Sequence, residues 1–297
     1  MHTHEEQVSK WAEIMAAVPD GGILPSPPDP RDYSVARVTS TTHTIPTSHS
    51  LPRSPLILNQ GNTGYCAGAS GAGIANSYYF YHDLLPQDGF SMTFLYWLAK
   101  EYDGIPHLDG TYIRTLLKVM KKYGVAPLAL APFSERRIYI SPEALKAAEE
   151  YKVEAYARLT SLYDIKSALL KGLYVIMGTL VTRDNWNRPD GFLSYPSGPL
   201  YGGHATFNDG YNSLLKREHK GYLLGQNSWG DRWGDYGRFY LPYDFLDMTL
   251  PNGIPVFLEA WAVKFEEVKP DFNDPRKHIN QNIRDRIENI KDRRNRR

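Results

Sequence analysis

The chain has 297 residues and one cysteine, Cys66, which lies in the stretch NQGNTGYCAGAS from residue 59 to residue 70. A solitary thiol is more often a small buried hydrophobe than a nucleophile. Its neighbours argue for chemistry. Gly61 and Gly64 allow a tight turn just before CAGASGAGIANSYYF, which reads as a helix beginning near Cys66. A thiol at a helix N-terminus faces unpaired backbone N–H groups and the positive end of the helix dipole, and both favour thiolate. A thiolate also needs a proton partner. His204 sits behind two glycines in GPLYGGHATFNDGYN, at the start of an expected strand. An imidazole there can pair with the thiolate and later protonate a leaving amine. The other histidines are less suitable: His2, His4, His43 and His49 lie in the N-terminal segment, His219 on an expected hairpin tip and His278 in the C-terminal tail. His82 and His107 fall among helices, where surface or packing roles are the simpler reading.

Two further residues complete the set. Asn227 opens NSWGDRWGDYG, 23 residues after His204. Its amide oxygen can accept from the remote ring nitrogen and fix the tautomer, with Trp229 nearby to shield that bond from water. Trp229 and Trp233 can equally be packing groups for glycine-rich turns. Gln60 precedes the thiol and can aim its side-chain NH₂ at the oxyanion that forms during amide hydrolysis, with the backbone N–H of Cys66 as the second donor. Each well-placed donor of this kind is worth about 3 kcal/mol. Gln60 alone would be an ordinary turn residue, and its significance depends on the other three.

The elements that must hold these groups read as follows. After the helix at Cys66, Ser91 can cap a helix through MTFLYWLAKEY and Thr111 another through YIRTLLKVMKKY, with Gly124 ending it. Ser141-Pro142-Glu143 opens a further helix, and Ser161 to Asp164 resembles a capping box with Asp in place of Glu. Beyond Gly172 the texture changes. YVIMGTLV, HATFND, YLLGQNS, GRFYLPY and VFLEAWAVKF read as strands between glycine-rich turns. A helical first half and a strand-rich second half predict an α+β protein of two lobes, with a ligand cleft between them.

Composition bounds the rest. An apolar fraction of 42% with 13% aromatics fits a globular chain, and a net charge of +1 implies no general attraction to nucleic acid or membrane. One cysteine permits no internal disulfide, and no signal peptide or membrane span is legible. Cytoplasmic or virion-associated localisation is therefore expected. Eight of the 21 prolines fall in the first 60 residues. Residues 1–55 read as an extended leader over a body at 56–268, with a short helix around Ser9 to Ala17. It is either a structural wrap or arm, or a strap across the cleft. Residues 269–297 carry ten Lys or Arg against five Asp or Glu, and Ile279, Ile283, Ile287 and Ile290 form one apolar stripe on an expected helix. That helix could dock on its own body, bind a protein partner or serve as a solubilising tail.

The set Gln60, Cys66, His204 and Asn227 resembles the papain-like cysteine peptidases. NQGNTGYC looks like their glutamine-to-cysteine segment, and GGHA and QNSWGDRWGDYGRFYLPY look like their histidine and asparagine segments. The match spans about Leu56 to Phe265, with a fainter extension to Gly21 through GGILPSPPDPRDYSVA, which resembles the lead-in of bacterial members. The resemblance implies a helical N-terminal lobe, a strand-rich C-terminal lobe and an active site in the cleft. It also implies endopeptidase-type hydrolysis through an acyl-enzyme, with catalytic Cys66, His204 and Asn227, an oxyanion hole of Gln60 and the Cys66 N–H, and no metal or organic cofactor. The upstream cysteine common in the family is absent, and Ala67 replaces the aromatic residue that normally follows the nucleophile. A peptide or protein substrate is expected. An amidase or transpeptidase with the same residues, or a non-enzymatic component with a blocked cleft, would share these features. No Asp or Glu is legible as the base of a charge-selecting pocket.

Overall fold

The computed structural model describes residues 3–18, 21–32, 44–215, 217 and 219–267. Among them are six α-helices: α1 (His4–Ala17), α2 (Cys66–Tyr81), α3 (Met92–Lys100), α4 (Ile113–Lys122), α5 (Pro142–Ala148) and α6 (Leu162–Leu170). The strands are β1 (Ile23–Leu24), β2 (Ser48–Ser50), β3 (Thr111–Tyr112), β4 (Val153–Leu159), β5 (Tyr174–Thr182), β6 (Leu200–Asn212), β7 (Tyr222–Gln226), β8 (Arg238–Pro242) and β9 (Phe257–Phe265). The larger sheet runs β4-β9-β5-β6-β7-β8 with β2 added on β6, and its pairings are antiparallel. The protein is therefore α+β, with α2, α3 and α4 packed together on one side and the sheet on the other.

Helix α2 joins the two halves. Residues 66–77 and Tyr79 are all buried, which an amphipathic helix could not manage. The small residues explain it, because each face admits a different neighbour at close range. Gly68 lies under the Met92 carbonyl of α3, Gly71 meets Leu95, Leu116 and Met120, and Gly73 meets the ring of Phe207 on β6. Each glycine costs about 1 kcal/mol of helix propensity relative to alanine, so tertiary packing holds this helix. Strand β5 is buried at every position, as expected of a continuous apolar run covered on both faces.

Local signals set most helix ends. Ser91, Ser141 and Ser161 each accept a backbone N–H three residues ahead. The Asp164 carboxylate, however, accepts from the backbone and hydroxyl of Thr160 rather than closing a box on Ser161. Thr111 does not cap α4. It lies in β3 beside Ile23, and Tyr112 takes the cap position with no side-chain bond. Helix α1 starts earlier than its apolar pattern indicates, at His4, because Thr3 and Glu6 form a complete capping box. Strand β4, absent from the sequence reading, finds its partner in β9.

The N-terminal segment does more than lie on the surface. β1 pairs in parallel with β3, and β2 pairs with β6. Ile23 is wholly buried and belongs to the common core. The striped tail at 269–297 falls outside the described residues.

Gly73→Val places a branched side chain where even a Cβ would stand 2.5 Å from the Phe207 ring. Denaturant unfolding is expected to show a loss of about 1–3 kcal/mol from overpacking. An unchanged midpoint would mean that α2 is not wedged against β6.

Candidate active site

Cys66 is the first residue of α2, and its N-cap, Tyr65, supplies no side-chain bond. The N–H groups of the first turn therefore have no helical partner. Backbone N–H groups of Ala205 and Ala67 face the sulfur and favour its thiolate form. Ala205 follows His204 on β6, so the helix N-terminus and the histidine strand meet at the sulfur. His204 is 4% exposed. Its Nε2 lies 2.7 Å from Asn227 Oδ1, immediately after β7. That oxygen also accepts the Ser228 N–H at 2.8 Å. An acceptor at Nε2 fixes the proton there and leaves Nδ1 as the basic nitrogen.

Aromatic rings hold the imidazole flat. Trp229 stacks on it with centroids 4.8 Å apart, and Trp186 meets it edge-on at 5.2 Å. Trp233 packs on both tryptophans and donates its indole N–H to the Trp186 carbonyl. Trp186 was not legible as part of the site. It stands alone in the polar stretch TRDNWNRPDG, and only the fold brings it over His204.

Gln60 is tied to the same centre from the other side. Its backbone N–H donates to the Ser228 carbonyl at 2.8 Å, and its Oε1 accepts from Ser228 Oγ at 2.6 Å. Its Nε2 gives one N–H to the Thr63 carbonyl at 2.6 Å, leaving the second for another acceptor. Ser228, the residue after Asn227, thus orients Gln60. A serine within NSWG carries no separate sequence signal for that role.

The cleft over the sulfur is closed by the leader. Gly22 forms a parallel bridge with Gly203, and the Gly22 carbonyl accepts the Thr111 N–H at 3.2 Å. A Cβ on Gly22 would stand 1.9 Å from the Gly203 carbonyl oxygen and 3.6 Å from Cys66 Sγ. A Cβ on Gly110 would stand 1.8 Å from the Gly22 carbonyl oxygen. Gly22 and Gly110 both have positive φ, +80° and +88°, a region that glycine enters without the Cβ penalty. The chain passes through a slot that only glycines leave open.

Burial sets the protonation of this closed state. It pushes the Cys66 thiol up to about 12 despite the N–H groups around it. It pulls His204 down to about 4, with the Asn227 bond opposing. Thiol and neutral imidazole, rather than an ion pair, are the forms held under the leader. Among the described residues no group of three or more His, Cys, Asp or Glu could hold a metal ion, and no helix is long and apolar enough to cross a membrane.

The fold is that of the papain-like cysteine proteases. Xylellain, a cysteine protease from Xylella fastidiosa, superimposes with a TM-score of 0.70 over 84% of this chain and 97% of its own, at 23% identity. The bromelain protease from Ananas comosus gives 0.58 over 75% of this chain and 100% of its own, at 20% identity. In sequence, an uncharacterized peptidase C1-like protein of Acanthamoeba polyphaga mimivirus is 27% identical over 259 residues, 78% of this chain and 79% of that one. No protein-family model matches the chain.

Two measurements follow from the closed cleft. Gly22→Ala should displace the strap and raise the rate of Cys66 alkylation by iodoacetamide about 5- to 150-fold, given a clash of about 1–3 kcal/mol. An unchanged rate would show that the strap does not guard the sulfur. His204 is held neutral below its ordinary value of 6.5, down to about 4. The folded state then binds fewer protons than the unfolded state across that window, so its stability is complete above 6.5 and falls on acidification. Thermal unfolding of wild type should therefore drop more steeply between those pH values than that of His204→Gln. Parallel curves would contradict a neutral buried imidazole.

Proposed function

We propose that this protein is a cysteine-type peptidase that hydrolyses peptide bonds through a thioester acyl-enzyme, acting within chains as an endopeptidase. The observation that carries this reading is the meeting of Cys66, at an uncapped helix start, with the strand of His204, whose Nε2 is held by Asn227 at 2.7 Å. With the leader withdrawn, water reaches both groups and the desolvation that opposes charge is relieved. His204 then takes the Cys66 proton, and the sulfur attacks the substrate carbonyl carbon. The oxyanion accepts the remaining Gln60 N–H and the Cys66 backbone N–H. As the carbonyl re-forms, the C–N bond breaks and His204 returns its proton to the departing amine. Water then gives a proton to His204 and attacks the thioester carbon, and the acid product leaves as the thiol is restored.

Asn227 acts through orientation, by keeping the Nε2 proton in place, and Trp229 keeps that hydrogen bond out of water. No step calls for a metal or organic cofactor. The substrate is a peptide or protein, and the single cysteine suits work in the cytoplasm or with a virion. The tail stripe remains the proposed contact for a protein partner.

Turnover of a peptide substrate tests the assignment, best measured in the Gly22→Ala background so that the strap does not limit it. Cys66→Ala and His204→Ala should each lose at least about 10⁴-fold in kcat. Asn227→Ala should lose about 10- to 100-fold, because it positions the base and does not react. Cleavage by Cys66→Ala at the parental rate would end this reading. A folded parent that neither cleaves peptides nor reacts with a peptidyl electrophile at Cys66 would mark a binding component with a blocked cleft.

A further inference from the structure

A small cavity adjoins Asn227 on the side away from any step of the hydrolysis. Ser70 of α2, Gln226 of β7 and Asn227 line it together with the apolar Leu58, Ala69 and Phe207. It leaves about 10 Å³ for the centre of a water molecule, which is about the room that one buried water needs. The three polar residues are all buried, Ser70 and Gln226 at 3% exposure and Asn227 at 2%. Among the described residues, Asn227 Nδ2 and Gln226 Oε1 find no hydrogen-bond partner. One is a donor and the other an acceptor, and a buried polar group left unpaired is costly.

Other hydrogen bonds force the polarity of each of these groups. Gln226 Nε2 donates to the Leu56 carbonyl at 2.9 Å. A carbonyl can only accept, so Oε1 is the end of that amide left over. Ser70 Oγ gives its one hydrogen to the Cys66 carbonyl at 2.9 Å, and toward anything else it can only accept. Asn227 Oδ1 is taken by His204 Nε2 and the Ser228 N–H, which leaves Nδ2 as a donor. The cavity therefore offers one donor and two acceptors. A water molecule answers all three, since it accepts from Nδ2 and gives one hydrogen each to Gln226 Oε1 and Ser70 Oγ. A metal or ammonium ion could not accept from Nδ2, and an anion would be repelled by the two oxygens. With the Asn227 amide turned over, three acceptors would compete for the two hydrogens of the water.

We infer that this cavity is the binding site of one buried water, and that Ser70 and Gln226 are positioning residues that act through it on Asn227. The water holds Nδ2, so Oδ1 stays on His204 Nε2. The ring proton then stays at Nε2, and Nδ1 is the nitrogen left to take the proton of Cys66. The same Ser70 hydroxyl that faces the water is bonded to the Cys66 carbonyl, so one small polar network touches the residue that carries the thiol and the residue that orients its base. The consequence for turnover rests on the peptidase reading above, whereas the water site itself does not.

A high-resolution crystal structure of the full-length chain tests the site. One ordered water should stand within about 3.2 Å of Asn227 Nδ2, Gln226 Oε1 and Ser70 Oγ. A dry cavity, or a water that does not touch Asn227, would overturn the inference. Peptide turnover in the Gly22→Ala background tests the positioning role. Gln226→Met, which keeps the length and removes the acceptor, should lower kcat about 3- to 10-fold with KM held. Ser70→Ala should do the same, and it carries the test if Gln226→Met does not fold. Neither should lower kcat further once Asn227 is replaced by alanine, because coupled residues are not additive. Losses from packing, or from the Leu56 bond, weigh equally in both backgrounds, so an equal drop with and without Asn227 would overturn the positioning role. A folded parent that cleaves no peptide and is not labelled at Cys66 removes the peptidase reading and that role with it, while the crystal structure still decides the water site.

Discussion

The close approach of α2 to β6 is the contact on which the rest depends. A helix N-terminus can meet a strand residue at sulfur-to-backbone range only if nothing bulky stands between the two elements. Gly73 against Phe207, and the run of buried small residues from Cys66 to Ala72, provide that distance. The thiol is then brought to the Ala205 N–H, one residue after His204 on β6. The Gln60–Ser228 bonds tie the turn before the thiol to the residue after Asn227. Four groups drawn from separated parts of the chain are thereby held by one packing contact and one short hydrogen-bonded bridge.

The same dryness that makes this arrangement rigid also holds it uncharged. A thiolate and an imidazolium each lose hydration when the leader passes over them, and burial outweighs the N–H groups that would favour the anion. Gly22 stands over the sulfur, and burial keeps both the thiol and the imidazole uncharged. The leader's hold is distributed along its length. Trp11 donates to the Pro25 carbonyl at 2.7 Å, Ser26 meets Glu259, and Asp29 and Asp32 meet Arg114. Gly22 is the narrowest point of that path.

Much of the fold is legible in the sequence. Helix caps at Ser91, Ser141 and Ser161 are local chemistry, decided within three residues, and each lies where the sequence puts it. The buried strands β5 and β9 announce themselves as apolar runs. Thr111 does not act as the cap because its capping chemistry competes with a strand partner, Ile23, that sits far away in sequence. Strand β4 is hidden for the same reason: VEAYARL is too mixed to read as a strand until β9 supplies its partner. Trp186 and Ser228 carry no pattern of their own, and their roles exist only through neighbours.

Residue types and spacing in the sequence determined the chemistry on offer: a lone thiol behind a glycine turn, a histidine behind two glycines, and an asparagine within NSWG. Those are properties of short segments, and short segments can be read directly. The tertiary structure alone decided what stands over the thiol and what meets the buried Glu259 carboxylate. Gly22 reaches Gly203, and Ser26 reaches Glu259, across more than half the chain. Contacts at such separation follow from which surfaces fit together once the core has formed, and no local pattern encodes them.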